Sequence, residues 1–397
     1  VSTPSAEPVK PGKASLFYDP EIRGYFYQAA LVLVVGFLIW SAASNAIENM
    51  RAQNIASGFG FWHNASGFDV NQTLIEYSAS TGTYGRAFLV GLLNTLLVAA
   101  IGIVLSTFLG FFVGVARLSS NWVVSKLAMI YVEVIRNIPL LLQLFFWYNA
   151  VLKPLPNPRQ SIALPGGAFL NNRGLYLPDP ELGPGGELVL WTLLFGIIGA
   201  LVFRWWARKQ QFATGRQYPI GWVALGLVVV LPLAVYLLTG RPISFIYPEL
   251  AGFNLRGGIQ VFPEFVALLV GLTTYTAGFI AEVVRAGILA VSRGQTEAAH
   301  ALGLRPGPTL KLVVIPQAMR VIIPPLTSNY LNLTKNSSLA VAIGYPDLVQ
   351  VFTGTVLNQT GQAVEVVAIT MAVYLTISLV TSFFMNIYNK RMALVER

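Results

Sequence analysis

The chain has 397 residues, of which 55% are hydrophobic and 11% charged, whereas soluble domains carry about 25% charged residues; its mean hydropathy is +0.62. That balance excludes an ordinary soluble domain and points to an all-α, polytopic membrane protein with about eight transmembrane helices. The net charge of +9 comes from dispersed Lys and Arg with no aromatic-lined polar face, so it argues for membrane topology rather than nucleic acid, and the absence of cysteine excludes disulfides, thiol catalysis and Cys-ligated metal.

Uncharged stretches long enough to cross a bilayer run between Arg23 and Glu48, Arg86 and Arg117, Arg136 and Lys153, Glu187 and Arg204, Arg216 and Arg241, Glu264 and Glu282, and Glu365 and Lys390. One more crossing is expected between Pro324 and Thr355, interrupted by polar residues. Residues 1–25 read as a polar cytoplasmic tail. Residues 26–85 hold the first crossing and an external cap, whose Phe59, Phe61, Trp62 and Phe68 suit packing or an interfacial belt better than a ligand site. The first apolar run lacks a convincing small-residue cleavage pattern and reads as a retained helix.

Residues 86–150 open with a long helix carrying Gly110 and Gly114, a spacing that lets two helix backbones approach closely. Glu133 and Arg136 follow, one turn apart and placed to pair. Residues 151–261 combine a Pro- and Gly-rich stretch, Lys153 to Glu187, expected as an irregular external loop, with two extra crossings near 188–203 and 219–239. The interiors of those two crossings carry no ionisable group, which assigns them to the periphery, facing lipid. Residues 262–397 carry the remaining crossings around a polar loop, 292–320. With both termini and that loop in the cytoplasm, most Lys and Arg lie inside, and the outer segments keep only Arg51, Arg86, Lys153, Arg159, Arg173, Arg241 and Arg256.

The loop from Ser292 to Arg320 is too polar and too broken to span. Ser292 is placed to cap a helix, with Gln295 closing a capping box, and the alanines at 298, 299 and 301 favour helix until Gly303, which suits a left-handed terminus. Ten residues give a rod of about 15 Å, half a bilayer core. A second helix is expected to return from Thr309 toward the membrane, distorted at Pro316.

The order Glu297-Ala298-Ala299, three residues, Gly303, nine residues, then Val313-Val314-Ile315-Pro316 resembles the EAA loop of ABC importer permeases. The strings YVEVIRNIPLLLQLFFWY, TYTAGFIAEVVRAGI and LTKNSSLAVAIGYPDL also resemble the polar, general amino-acid branch of that family. The resemblance implies a type I importer permease core with extra peripheral helices, in a bacterial inner membrane. It implies that Glu297, Ala298, Ala299, Gly303 and Pro316 belong to a coupling helix that docks on a cytoplasmic ATPase. It further implies two ATPase subunits, which carry ATP and Mg, a periplasmic amino-acid-binding protein, and a second permease subunit, identical or homologous, with the longer members pointing to a heterodimer. This chain lacks a phosphate loop of its own: Gly12-Lys13 is followed by alanine and has no upstream glycine.

Within the membrane, Asn329, Asn332 and Asn336 recur at helical spacing and give one polar face. Amides, hydroxyls and one positive side chain suit the ammonium and carboxylate of a free amino acid. Lys335, beside Ser337, either joins that face or neutralises Asp347 or Glu282. Thr273, Tyr275 and Thr276, ahead of Glu282, are implied by the family's architecture to line the opposite wall of the translocation path, unless the threonines bond their own backbone. Glu282 and Arg285 are spaced to pair. An ion-coupled secondary transporter is the principal alternative; it would show inverted repeats and paired broken helices, and none stand out. A membrane-embedded enzyme would need a carboxylate or metal constellation, whereas Glu133, Asp347 and Glu365 are scattered and His63 and His300 are expected on opposite sides.

Overall fold

The computed structural model describes residues 20–52 and 57–392, so most of the expected N-terminal tail and the last five residues lie outside the described part. Among the described residues, seven helices are long and apolar enough to cross a membrane, or eight if a bent pair counts as one span. The first, α1 (Pro20–Ala52), has no buried side chain among its described residues. Residues 57–83 then fold onto the start of α2 (Tyr84–Ala116), where Thr83 caps the helix by accepting the Arg86 amide at 3.2 Å. Phe61 and Trp62 pack on Phe88 and Phe352, with ring centroids 5.2–6.3 Å apart, so this aromatic cluster is cap packing.

The core is the contact between α2 and α8 (Pro263–Leu289). A Cβ at Gly110 would lie 2.5 Å from Ile280 Cγ2, and one at Gly114 would lie 2.8 Å from the Ala281 carbonyl oxygen. The rising numbers on both sides show that the two helices run parallel, touching where the small-residue spacing predicts. α11 (Ile315–Asn336) packs antiparallel to them, with Ile322 against Gly287, the Tyr330 hydroxyl 2.9 Å from Thr107 Oγ1, and Leu333 against Gly102.

Between α2 and the next elements the chain makes α3 (Trp122–Asn137) and, after a 106° bend at Ile138-Pro139, α4 (Leu140–Phe145), prolonged by a π turn over Phe146–Leu152. Pro139 supplies the break, because it cannot donate to the preceding turn and pushes Ile138 into extended backbone. α3 begins at the C-terminal end of α2, where Ser125 donates to the Arg117 carbonyl, and the π turn ends beside the start of α8, where the Tyr148 hydroxyl donates to Glu264 at 2.7 Å. Since α2 and α8 are parallel, the bent pair traverses the bundle.

The stretch Lys153–Glu187, expected as an irregular loop, is partly ordered instead. Prolines and glycines punctuate short strands: β1 (Ile162–Leu164), β2 (Ala168–Asn171), β3 (Gly174–Leu177) and β4 (Asp179–Leu182) precede α5 (Gly186–Thr214). α6 (Ile220–Leu225) and α7 (Leu231–Leu238), joined by a π turn, return antiparallel to α5, with the Leu227 carbonyl against Gly196. Then come β5 (Ile243–Ile246), β6 (Glu249–Ala251), β7 (Asn254–Arg256) and β8 (Ile259–Val261). β4 pairs with β5, and β3 pairs with β8 in the register Leu175↔Val261, Tyr176↔Gln260, Leu177↔Ile259. The excursion is thus clamped twice at its base and returns the chain to where it left. The two extra spans are peripheral within this chain: 17% and 6% of their most apolar stretches are buried, against 56% for α8.

The loop after α8 forms α9 (Arg293–Ala301). It ends in the expected left-handed glycine, Gly303 at φ +77°, with Leu304 N–H donating to the Ala299 carbonyl and Gly303 N–H to that of His300, the two bonds of a Schellman motif. The expected capping box does not form: Ser292 makes no side-chain cap, and the Gln295 side chain instead accepts from Gln317 Nε2 at 3.2 Å, tying α9 to α11. α10 (Pro306–Thr309) starts three residues earlier than Thr309, because Pro306 occupies a first-turn position, where its missing N–H costs nothing. A π turn over Leu310–Val314 absorbs Pro316 and leads into α11. The polar crossing therefore occupies Pro306–Ile343 rather than Pro324–Thr355. Pro324 and Pro325 sit inside α11, and the Asn329 amide donates back to the Pro325 carbonyl at 3.2 Å. A turn at Gly344–Asp347, a π helix Val349–Val356, α12 (Leu357–Thr360) and α13 (Ala363–Met392) complete the chain.

Replacing Gly114 by Leu forces backbone apart at the α2–α8 contact and should cost about 1–3 kcal/mol, read as a lower Tm of the purified protein. Gly36→Leu on α1, where a side chain meets nothing within 4 Å, should leave the Tm unchanged.

Candidate functional site

α8 is the element from which the site is built, since three of its faces meet three different environments. One side packs on α2. A second carries Gly278 against Ile135 and the Arg136 stem of α3. Between α3 and α11, α8 presents Tyr275, Thr276 and Phe279, which together with Asn329, Asn332 and Asn336 of α11 line a cavity of about 260 Å³. Three amides and two hydroxyls at bilayer depth make a surface that lipid cannot satisfy. Tyr275 and Phe279 lie 5.0 Å apart, centroid to centroid, and form its aromatic wall.

Several residues grouped with this face in the sequence lie elsewhere. Thr273 is buried on another side of α8 and Thr274 bonds the Val270 and Gly271 carbonyls, the backbone role weighed for membrane threonines. Ser337 is fully buried and donates to the Thr334 carbonyl at 2.7 Å. Lys335 lines a different cavity, of about 410 Å³, with Ser338, Thr370, Met371 and Tyr374. It neutralises neither carboxylate suggested for it: among the described residues, Asp347 accepts from the Gln350 amide at 2.8 Å and from the Tyr374 hydroxyl at 3.3 Å, and Glu282 is held by arginines.

Glu282 sits one turn below Phe279 and draws three helix ends together. Its Oε2 accepts from Arg117 at the end of α2, and its Oε1 accepts from Arg285 Nη2 at 2.6 Å and Nε at 3.2 Å. Arg136 of α3 approaches Oε2 at 3.9 Å and lies 5.2 Å from the centre of the Phe279 ring. Arg136 thus turns to α8 rather than to Glu133, one turn away on its own helix. The Glu282–Arg285 pair is legible from sequence, but Arg117 and Arg136 are 165 and 146 positions away and give no local signal.

At the end of α8, α9 projects from the bundle. Ala299 is buried against the returning chain, whereas Glu297, Ala298 and Gly303 are exposed and Leu302 is 83% exposed. Pro316, half-buried at the head of α11, stands behind this hook. His63 and His300 lie at opposite ends of the bundle, one in the cap beside α2 and one on α9.

Such a bundle, with a polar groove inside and a short exposed helix at one end, is that of a membrane permease. Residues 106–394 match the family of binding-protein-dependent transport system inner membrane components, and the chain belongs to that family. It is 53% identical, over 96% of its own length and 95% of the other's, to the general L-amino acid transport system permease protein AapQ of Rhizobium johnstonii. It is 51% identical, over 97% and 98%, to the putative amino-acid ABC transporter permease protein YhdX of Escherichia coli. The glutamine transport system permease protein GlnP of E. coli is 30% identical over 54% of this chain and 94% of its own length. Membership of this family leaves the ion-coupled alternative without support.

Glu282→Gln weakens the charge-assisted bonds to Arg117, which is only 11% exposed, and to Arg285. A loss of about 1–3 kcal/mol is expected, measured as a fall in Tm. The double variant with Arg117→Gln should recover part of it, because the buried unpaired guanidinium is then gone.

Proposed function

We propose that the chain is one permease subunit of an ATP-driven importer of amino acids. An external binding protein delivers the substrate, the polar groove carries it, and α9 couples the groove to a cytoplasmic ATPase. The observation that carries this reading is the hook: a nine-residue helix, closed by Gly303, exposes Glu297, Ala298 and Leu302 and follows α8 after a three-residue turn, Ala290–Ser292, while α8 also lines the groove. The relatives' names supply the substrate class.

The hook end of the bundle holds Arg117, Lys126, Arg204, Arg208, Lys209, Arg216, Arg285, Arg293, Arg305 and Lys311, and the strand end holds Arg86, Lys153, Arg159, Arg173, Arg241 and Arg256. Local basic density is higher at the hook end, which supports placing it, with both termini, on the cytoplasmic side of a bacterial inner membrane. A groove open on one side of a single chain needs a second wall, and a second permease subunit, homologous or identical, provides it. Two hooks then meet two ATPase subunits, which hold ATP and Mg and perform the hydrolysis; this chain does no covalent chemistry. ATPase closure pushes both hooks and turns the groove from inward-open to outward-open.

In proteoliposomes containing the whole complex, Glu297→Lys or Gly303→Asp should leave assembly intact and cut ATP-dependent uptake at least about tenfold. Gly303→Asp also forces a side chain into left-handed backbone at a cost of about 1–2 kcal/mol, which loosens the hook's terminus. Uptake at the wild-type rate by an assembled complex carrying either change contradicts the coupling role.

A further inference from the structure

Glu282 has two carboxylate oxygens, and both are occupied: Arg285 donates twice to Oε1 and Arg117 donates to Oε2. Arg136 is the third guanidinium around this single carboxylate and the one left over. At 3.9 Å from Oε2 it is beyond hydrogen-bond distance, and among the described residues it donates no hydrogen bond at all. Its side chain is 37% exposed, against 11% for Arg117. A guanidinium has five N–H donors in a planar fork, and with its head partly exposed and no protein acceptor among the described residues, Arg136 has them free for a ligand.

Its position says what that acceptor is. The Arg136 stem is pinned against Gly278, with Cγ 3.5 Å from where a Cβ would stand, and its head lies over Phe279, so it stands at the rim of the groove that Phe279 lines with Tyr275, Thr276, Asn329, Asn332 and Asn336 and is not itself part of that lining. The remaining polar groups of that groove are neutral amides and hydroxyls, which suit an ammonium and polar side chains but supply no full positive charge. Three arginines around one glutamate leave the neighbourhood cationic, so an anion is drawn there. We propose that Arg136 is the carboxylate receiver of the groove: its fork takes the α-carboxylate of a passing amino acid, and Arg117 and Arg285 hold Glu282 so that Arg136 stays available. The contact is charge-assisted and open to one side, strong enough to orient the substrate and weak enough to release it. This assignment rests on the reading of the chain as an amino-acid permease.

The test uses the complete transporter. In proteoliposomes, radiolabelled L-amino acids that the wild-type complex carries are followed in Arg136→Gln and Arg136→Lys variants. In detergent, binding to the complex without its binding protein is measured for one such amino acid and for its carboxamide, which has the same shape without the negative charge. The wild type should prefer the carboxylate by about tenfold or more. Arg136→Gln should bind both equally and lose uptake by a similar factor, whereas Arg136→Lys should keep part of the preference. A merely structural role would lower stability without altering that ratio. If Arg136→Gln fails to assemble, Phe279→Ala removes the ring beneath the guanidinium, leaves the Glu282 bonds in place, and should reduce the same preference. Wild-type preference and uptake in an assembled Arg136→Gln complex overturn the assignment alone. A wild-type complex that imports no amino acid overturns the transport reading, and this assignment with it.

Discussion

The structure depends on how closely α2 and α8 approach each other. At Gly110 and Gly114 there is room for hydrogen atoms and nothing larger, so the two backbones are in contact over a full turn. Without a hydrophobic driving force between helices in lipid, such close packing is the main attraction available. It fixes the rotation of α8, and that rotation decides everything else: Tyr275, Thr276 and Phe279 face α11 across the groove, Glu282 reaches the end of α2, and the C-terminal end emerges where α9 begins. One helix therefore joins the polar groove, the ionic cluster and the α9 hook.

The segment between α4 and α8 forms a unit of its own at the side of the bundle. β3 pairs with β8 and β4 with β5, so the segment leaves and rejoins at neighbouring points, and the pair formed by α5 and α6–α7 packs mainly on itself. The added strands lie at the end of the bundle opposite the hook, next to the starts of α2 and α8. The hook and the strands thus stand at opposite ends of the bundle.

Much of this is legible in the sequence wherever the signal is local. The hook is an example: helix-forming alanines, a glycine at the left-handed position and prolines beyond it define α9 within a residue or two. The apolar runs and the Gly110–Gly114 spacing are equally direct, and the three asparagines of α11 do share one cavity. The misses have physical reasons. Short strands clamped by pairing partners about ninety residues away look like loop when read one at a time, as Leu175 and Val261 do. Lys335 is adjacent in sequence to Asn336, but one residue along a helix is a rotation of about 100°, enough to place it on another cavity. The capping box was a statistical pairing of residue types, and the Gln295 side chain found a tertiary partner in Gln317 instead. The third arginine of the Glu282 cluster depends on a bend at Pro139 and a glycine at 278, neither of which names its partner.

If α9 couples the groove to an ATPase as proposed, the groove opens and closes in step with nucleotide. The chain contains no cysteine, so a spin label is readily placed at Ser328, on the exposed face of α11, and another at the equivalent residue of the partner permease. Distances between the two labels, measured in the reconstituted complex without nucleotide and trapped with ATP, report how the two α11 helices that bear the groove asparagines move relative to each other. Two distinct distances that interconvert with nucleotide are expected, collapsing to one when Glu297 is replaced by Lys. A single unchanged distance in a complex that hydrolyses ATP and imports amino acids contradicts it.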